Sequence, residues 1–173
     1  MKIYTLLSIL FFLSACSGLP QGVEPVTGFD ANRYFGKWYE IARLDHSFER
    51  NMNNVTAEYS LSEDGNIKVV NRGYNTESKQ WKTAEGKAKF VEAKNVGRLK
   101  VSFFGPFYGG YNIVELDKKN YQYAMIMGNN TKYFWILSRN PTLAPSIQNR
   151  LIDKAKGLKI PVDKLIYVEH DAK

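Results

Sequence analysis

The chain is short of the residues that most often carry chemistry. Among its 173 residues are one cysteine, Cys16, and two histidines, His46 and His170. A lone cysteine excludes a disulfide framework, so the fold must stand on packing. Neither Cys-x-x-Cys nor His-x-x-x-His spacing is available for a metal, and there is no Gly-x-Ser-x-Gly elbow and no glycine-rich phosphate loop. These absences argue against an enzyme, a metal or a cofactor. No apolar run reaches the ~18 residues that span a bilayer as a helix. Acidic residues number 17 against 24 basic ones, for a net charge of +7. The cations alternate along extended runs rather than forming a basic tract, which excludes nucleic acid as a partner and predicts a solvated basic exterior. Attraction to anionic phospholipid headgroups is the sharper reading of the same charge.

What the chain does have begins at its first residues. Lys2 is a positive head, Leu6 to Leu13 is a short apolar core, and Leu13-Ser14-Ala15-Cys16 follows. This order reads as a signal peptide. The last four residues resemble the lipobox of bacterial lipoproteins, which implies cleavage before Cys16 and a lipid on its thiol. Ser17, which is not Asp, implies delivery to the outer membrane, facing the periplasm. The expected organisation is residues 1–15 as signal peptide, 16–28 as lipidated Cys and tether, and 29–173 as one barrel domain.

Aromatics are plentiful, with 11 Tyr, 10 Phe and 3 Trp, as strands prefer. Eight strand-like runs are predicted, at 37–45, 53–62, 66–74, 82–91, 98–104, 111–117, 121–128 and 132–139. Asp64-Gly65 and Gly128-Asn129-Asn130 carry hairpin chemistry. Eight sequential strands at short spacing predict an all-β, up-and-down antiparallel barrel, a size that can enclose one small ligand. A single helix is expected from Pro145 to Gly157, its Ile147 and Leu151 covering the outer face of the last two strands. Residues 164–169 read as an extended segment added at the sheet edge.

Alternation assigns the faces. Val55, Ala57, Tyr59 and Leu61 share one side of their run; Ile67, Val69, Asn71 and Gly73 share the next. Ala84, Gly86, Ala88 and Phe90, then Leu99, Val101 and Phe103, continue the apolar side. Several of these are small, which predicts an interior that its own side chains do not fill. Trp135 and Leu137 share parity with Arg139 and are placed inside. Glu40 follows Trp38 inward, either to pair with Arg139 or backbone near the closed end or, in the sharper reading, to meet a ligand headgroup deep in the interior. Glu115 follows Tyr111 and Ile113 inward by the same count. His46 is expected to be a solvent-exposed loop residue; a Ser47/His46 hydrolase pair is the alternative.

Gly36-Lys37-Trp38 at the head of the first strand and Arg139 at the end of the eighth can meet only if the sheet closes, as a cation–π pair. Together these residues resemble the first and third motifs of the lipocalin family. The second is reduced to Leu116-Asp117-Lys118. Trp38-Tyr39-Glu40-Ile41-Ala42-Arg43 and Val101-Ser102-Phe103-Phe104-Gly105-Pro106-Phe107 are similar to the bacterial outer-membrane members and the apolipoprotein D branch. The resemblance implies a carrier of small amphiphiles such as fatty acids and lysophospholipids, held to the membrane by its anchor, as monomer or homodimer. Candidate ligand-binding residues are Ala57, Tyr59, Val69, Asn71, Ala88, Phe90, Val101, Phe103, Tyr111, Ile113, Trp135 and Leu137; Gly36, Trp38 and Arg139 are structural. The alternatives are a structural envelope lipoprotein without ligand, and a siderophore- or haem-type binder, which would need several inward cations.

Overall fold

The computed structural model describes residues 19, 20 and 22–171. The signal peptide and Cys16 lie outside them. Helix α1 (Ala31–Tyr34) leads into strands β1 (Gly36–Arg43), β2 (Met52–Leu61), β3 (Ile67–Asn75), β4 (Gln80–Phe90), β5 (Arg98–Phe104), β6 (Phe107–Leu116), β7 (Tyr123–Met127) and β8 (Phe134–Ser138). Helix α2 (Pro145–Gly157) and a two-residue strand β9 (Ile166–Tyr167) follow. From β1 to β8 each strand pairs antiparallel with the next. The ring closes because β1 pairs on one side with β2, Trp38 opposite Ala57, and on the other with β8, Glu40 opposite Leu137. Strand β9 lies outside the ring, on the end of β1, with Ala42 opposite Tyr167.

One end is corked. The Arg139 guanidinium stacks on the Trp38 indole, 4.0 Å from its centroid. Its Nη1 donates to the Lys37 carbonyl at 2.9 Å, and its Nη2 donates to the carbonyls of Arg33, Tyr34 and Phe35 at 2.9–3.1 Å. Trp38 Nε1 donates to the Tyr34 carbonyl at 2.8 Å. One cation thus satisfies the carbonyls that a helix end leaves unpaired. Helix α1 was not foreseen. Its signal was Asp30, whose carboxylate caps the Asn32 amide at 2.9 Å. Gly36 follows at φ +94°, the left-handed region open to glycine, with Arg139 Nη1 3.4 Å from where a Cβ would stand.

Two apolar cores result. Inside the ring at the corked end, Phe29, Tyr34, Trp38, Ile67, Leu99 and Ile113 pack together. Outside it, Met125, Met127, Phe134 and Ile136 meet Leu151 and Ala155 of α2. The β7–β8 hairpin therefore buries both faces, Ala124, Ile126 and Leu137 inward and its other face under the helix. Leu61, grouped inward by alternation, is instead 64% exposed. It is the last residue of β2, past Tyr59, where pairing with β1 has ended.

Replacing Arg139 by Ala should lower the unfolding free energy by about 2–4 kcal/mol, because it removes the stack and leaves several carbonyls without a donor. Urea midpoints check this. Arg139→Lys should recover less than half, because an ammonium cannot reproduce the planar fork.

Candidate functional site

Above the corked core the barrel encloses a cavity of about 670 Å³, within the range of small-molecule sites. It opens at the other end, where the connections β1–β2, β3–β4, β5–β6 and β7–β8 lie. Nine of the candidate residues stand on its wall: Ala57, Tyr59, Val69, Asn71, Val101, Phe103, Tyr111, Trp135 and Leu137. The other three do not. Ala88 and Ile113 are packed into the base, and Phe90 stands against Phe29 with ring centroids 6.2 Å apart. Strand tilt and the entry of Phe29 and Tyr34 from below fill that end of the ring, which alternation within a strand does not register.

The small side chains act in two ways. Ala57, Asn71, Gly73 and Ala84 border the cavity. Gly86 does not enlarge it: a Cβ there would stand 2.7 Å from the Phe103 ring, so the glycine is a seat for that aromatic. The floor is a chain of hydroxyls, Tyr34 to Tyr111 and Tyr111 to Tyr59, each 2.7 Å apart. Desolvation raises the pKa of all three, and they stay neutral. These hydroxyls bond one another. Asn71 Oδ1, by contrast, is buried with no hydrogen-bond partner among the described residues.

A charged network on the wall was missed by sequence reasoning. Glu40 is inward as expected, but its partner is Arg43, at 2.7 Å, rather than Arg139. A bulge between Glu40 and Ala42 breaks the alternation of β1 and lets Arg43 stand beside Glu40. Arg43 is 1% exposed, and its Nη2 donates to the carbonyls of Glu49 and Met52 at 2.8 and 3.1 Å. Glu49, from the β1–β2 connection, accepts from Trp135 Nε1 at 2.9 Å. Desolvation raises the pKa of Glu40, with the Glu49 charge adding to it; desolvation also raises that of Glu49.

Glu115 is a second correction. It lies outside the barrel, paired with Arg150 at 3.3 Å and with Lys154 of α2. A bulge between Ile113 and Glu115 puts Val114 into the outer core and turns Glu115 to the helix. His46 is a third. It is buried, its ring stacked between Phe48 and Tyr133 at 5.2 and 5.0 Å, with Trp135 4.7 Å away. Desolvation, with the Arg43 charge behind it, pulls its pKa down to about 4. This ring packs the mouth, and its Nε2 has no hydrogen-bond partner among the described residues. Among the described residues no group of three or more His, Cys, Asp or Glu converges on a metal position.

A family model described as a lipocalin-like domain matches residues 29–170. The outer membrane lipoprotein Blc of Vibrio cholerae serotype O1 is 54% identical over 157 residues, covering 91% of this chain and 92% of that protein. Its namesake in Escherichia coli strain K12 is 48% identical over 161 residues, covering 92% and 90%. Apolipoprotein D of Mus musculus is 34% identical over 164 residues, covering 90% and 82%. Among solved structures, the cockroach allergen Per a 4 superposes with a TM-score of 0.69 at 21% identity, over 89% of this chain and 96% of that one. Insecticyanin from Manduca sexta does so at 0.67 and 22%, over 88% and 86%. The structures speak to the fold alone.

Glu115→Gln should leave amphiphile affinity within about twofold and stability within ~1 kcal/mol, since the pairs it breaks are on the surface. Titration calorimetry and urea melts would show either effect. His46 supplies a pH dependence. The unfolded chain takes up its proton near pH 6.5, while the folded ring declines it down to about 4. Its contribution to stability is therefore present above pH 6.5 and lost as pH falls toward 4. Glu40 and Glu49, with raised values, act with the opposite sign and lose their contribution as pH rises. His46→Phe keeps the stack and removes the titration. Its urea midpoint should fall less than that of the parent between pH 7 and 4.5; an equal fall would place the acid sensitivity elsewhere.

Proposed function

The chain belongs to the lipocalin-like domain family, and from that premise we propose that it carries a small amphiphile, acyl chain inward, in the barrel cavity while held at the outer membrane by lipid on Cys16. The cavity is the observation that supports this most. Its wall is apolar and aromatic over most of its depth, and a long acyl chain gains roughly 0.8 kcal/mol per methylene moved there from water, less the cost of ordering. Micromolar affinity needs no ion pair with the ligand.

The polar groups suit a headgroup near the mouth. Asn71 Oδ1 is an acceptor in want of a donor, such as a glycerol hydroxyl, and Arg72 and Lys82 stand where the wall meets solvent. Fatty acids and lysophospholipids fit this pattern. The siderophore-type alternative asks for several inward cations; Arg43 is the deep one among the described residues, and it is committed to Glu40 and two carbonyls. A structural lipoprotein with a filled barrel is disfavoured by the cavity itself. The anchor rests on Leu13-Ser14-Ala15-Cys16, with residues 1–15 removed and 16–28 as a tether whose last residues are fastened to the barrel, where the Val26 amide donates to the Ile113 carbonyl at 2.8 Å, and on the printed name of the relatives, outer membrane lipoprotein. Carriage is by burial, and no step of bond-making is assigned to the chain.

Trp135 on the wall is a built-in reporter. Its fluorescence should change saturably as a long-chain fatty acid is added, and mass spectrometry of the purified chain should detect a co-purified acyl lipid. Ala57→Phe, which adds a ring to the cavity wall, should weaken the fatty acid at least about tenfold, the loss of ~1.4 kcal/mol. Unchanged affinity in that variant, or no response to any amphiphile, would end the carrier reading.

A further inference from the structure

We propose that the open rim of the barrel is a membrane-docking surface, which seats the cavity mouth on the headgroup layer of an anionic bilayer so that an acyl chain passes between bilayer and cavity without crossing water. The acyl passage rests on the carrier reading above; the docking does not.

The four connections at the open end, 44–51, 76–79, 105–106 and 128–133, carry or adjoin exposed aromatics. Phe48 is 59% exposed, Trp81 50%, Phe104 81%, Phe107 78% and Tyr133 41%. Phe48, Phe104, Phe107 and Tyr133 also border the cavity, so the exposed apolar ring is continuous with the cavity wall. A folded domain does not leave such a ring in water without use for it. At the corked end the exposed large apolar side chains are aliphatic, Leu61 and Val91.

Charge accompanies the aromatics. Arg72, Lys79, Lys82 and Lys132 are exposed around the rim; of the exposed acids in its connections, Asp45 is tied to Arg50, and Glu77 accepts from Asn51 Nδ2 at 2.8 Å, so cations outnumber acids there. The corked end mixes its lysines with Glu63, Asp64, Glu92 and Asp117. Aromatic side chains interleaved with cations are the chemistry of an interfacial anchor on anionic lipid. A bilayer also explains why the ring surrounds the open end of the cavity rather than lying on the barrel's flank.

The full chain, reconstituted through its own anchor into phosphatidylcholine vesicles with or without roughly 30% phosphatidylglycerol, tests this by amide exchange read loop by loop. On anionic vesicles exchange at 44–51, 76–81, 104–108 and 128–133 should slow at least about tenfold, the corked-end loops should not change, and about 0.5 M salt should weaken the protection. Lys79→Glu with Lys132→Glu should abolish it. Neither residue borders the cavity, so affinity for a free fatty acid should stay as in the parent. An unprotected rim, equal slowing at both ends, or the same protection in concentrated protein without vesicles, which would mean a second copy covers the rim, each overturns the proposal. A protected rim on a chain that takes up no fatty acid would leave docking standing and remove the carrier reading; fatty-acid uptake with a bare rim would do the reverse.

Discussion

The stack of Arg139 on Trp38 is the constraint on which the rest depends. A closed sheet needs its first and last strands joined, and strand hydrogen bonds do part of that. They do not close the ends. The guanidinium binds carbonyls on both sides of the start of β1, in α1 and in the turn to the first strand, from the last residues of the ring. Its charge is spread over a plane that can lie on an indole and still reach several acceptors at its edge. With one end held shut by this clamp and the apolar core packed on it, the interior above need not be filled for the ring to persist.

The β7–β8 hairpin shows how that economy is balanced. An interior left open forfeits the packing that a filled barrel would gain. The outer core supplies packing elsewhere: Met125, Met127, Phe134 and Ile136 give the hairpin a second buried face, and α2 is long enough to cover it. The helix has no side-chain cap at its start and is held by Leu151, Ala155 and the ion pairs to Glu115. Stability is thus moved outside the ring, and the inside is left for something else.

At the mouth the chain keeps charges where water is scarce. Glu40, Arg43 and Glu49 are each buried and joined through one another, through carbonyls and through the Trp135 indole. Such a group is costly unless its hydrogen bonds are made. What it provides is position: Arg43 ties β1 to the connection that carries His46, Phe48 and Glu49, and so holds the aromatic side of the entrance in one arrangement.

Much of this was legible in the order of residues. Alternation in the β2 to β5 runs placed Tyr59, Val69, Asn71, Val101 and Phe103 on the cavity side, because a strand's side chains must take opposite faces. Two apolar faces on the seventh and eighth runs announced a cover, and Pro145 and Gly157 bounded it. The errors fall where one strand's period could not report its neighbours. Bulges in β1 and β6 each shift parity by one, which turned Arg43 toward Glu40 and put Glu115 outside; a bulge is settled by partner register, not by the strand's own pattern. Ala88, Phe90 and Ile113 have the right parity and the wrong depth, since how far up a ring the core reaches depends on what enters from below. His46 was read as exposed because a loop's burial is decided by the aromatics that come from Tyr133 and Trp135, some ninety residues away. Local periodicity determined the faces; closure of the ring, which brings distant strands side by side, decided depth, partners and the mouth.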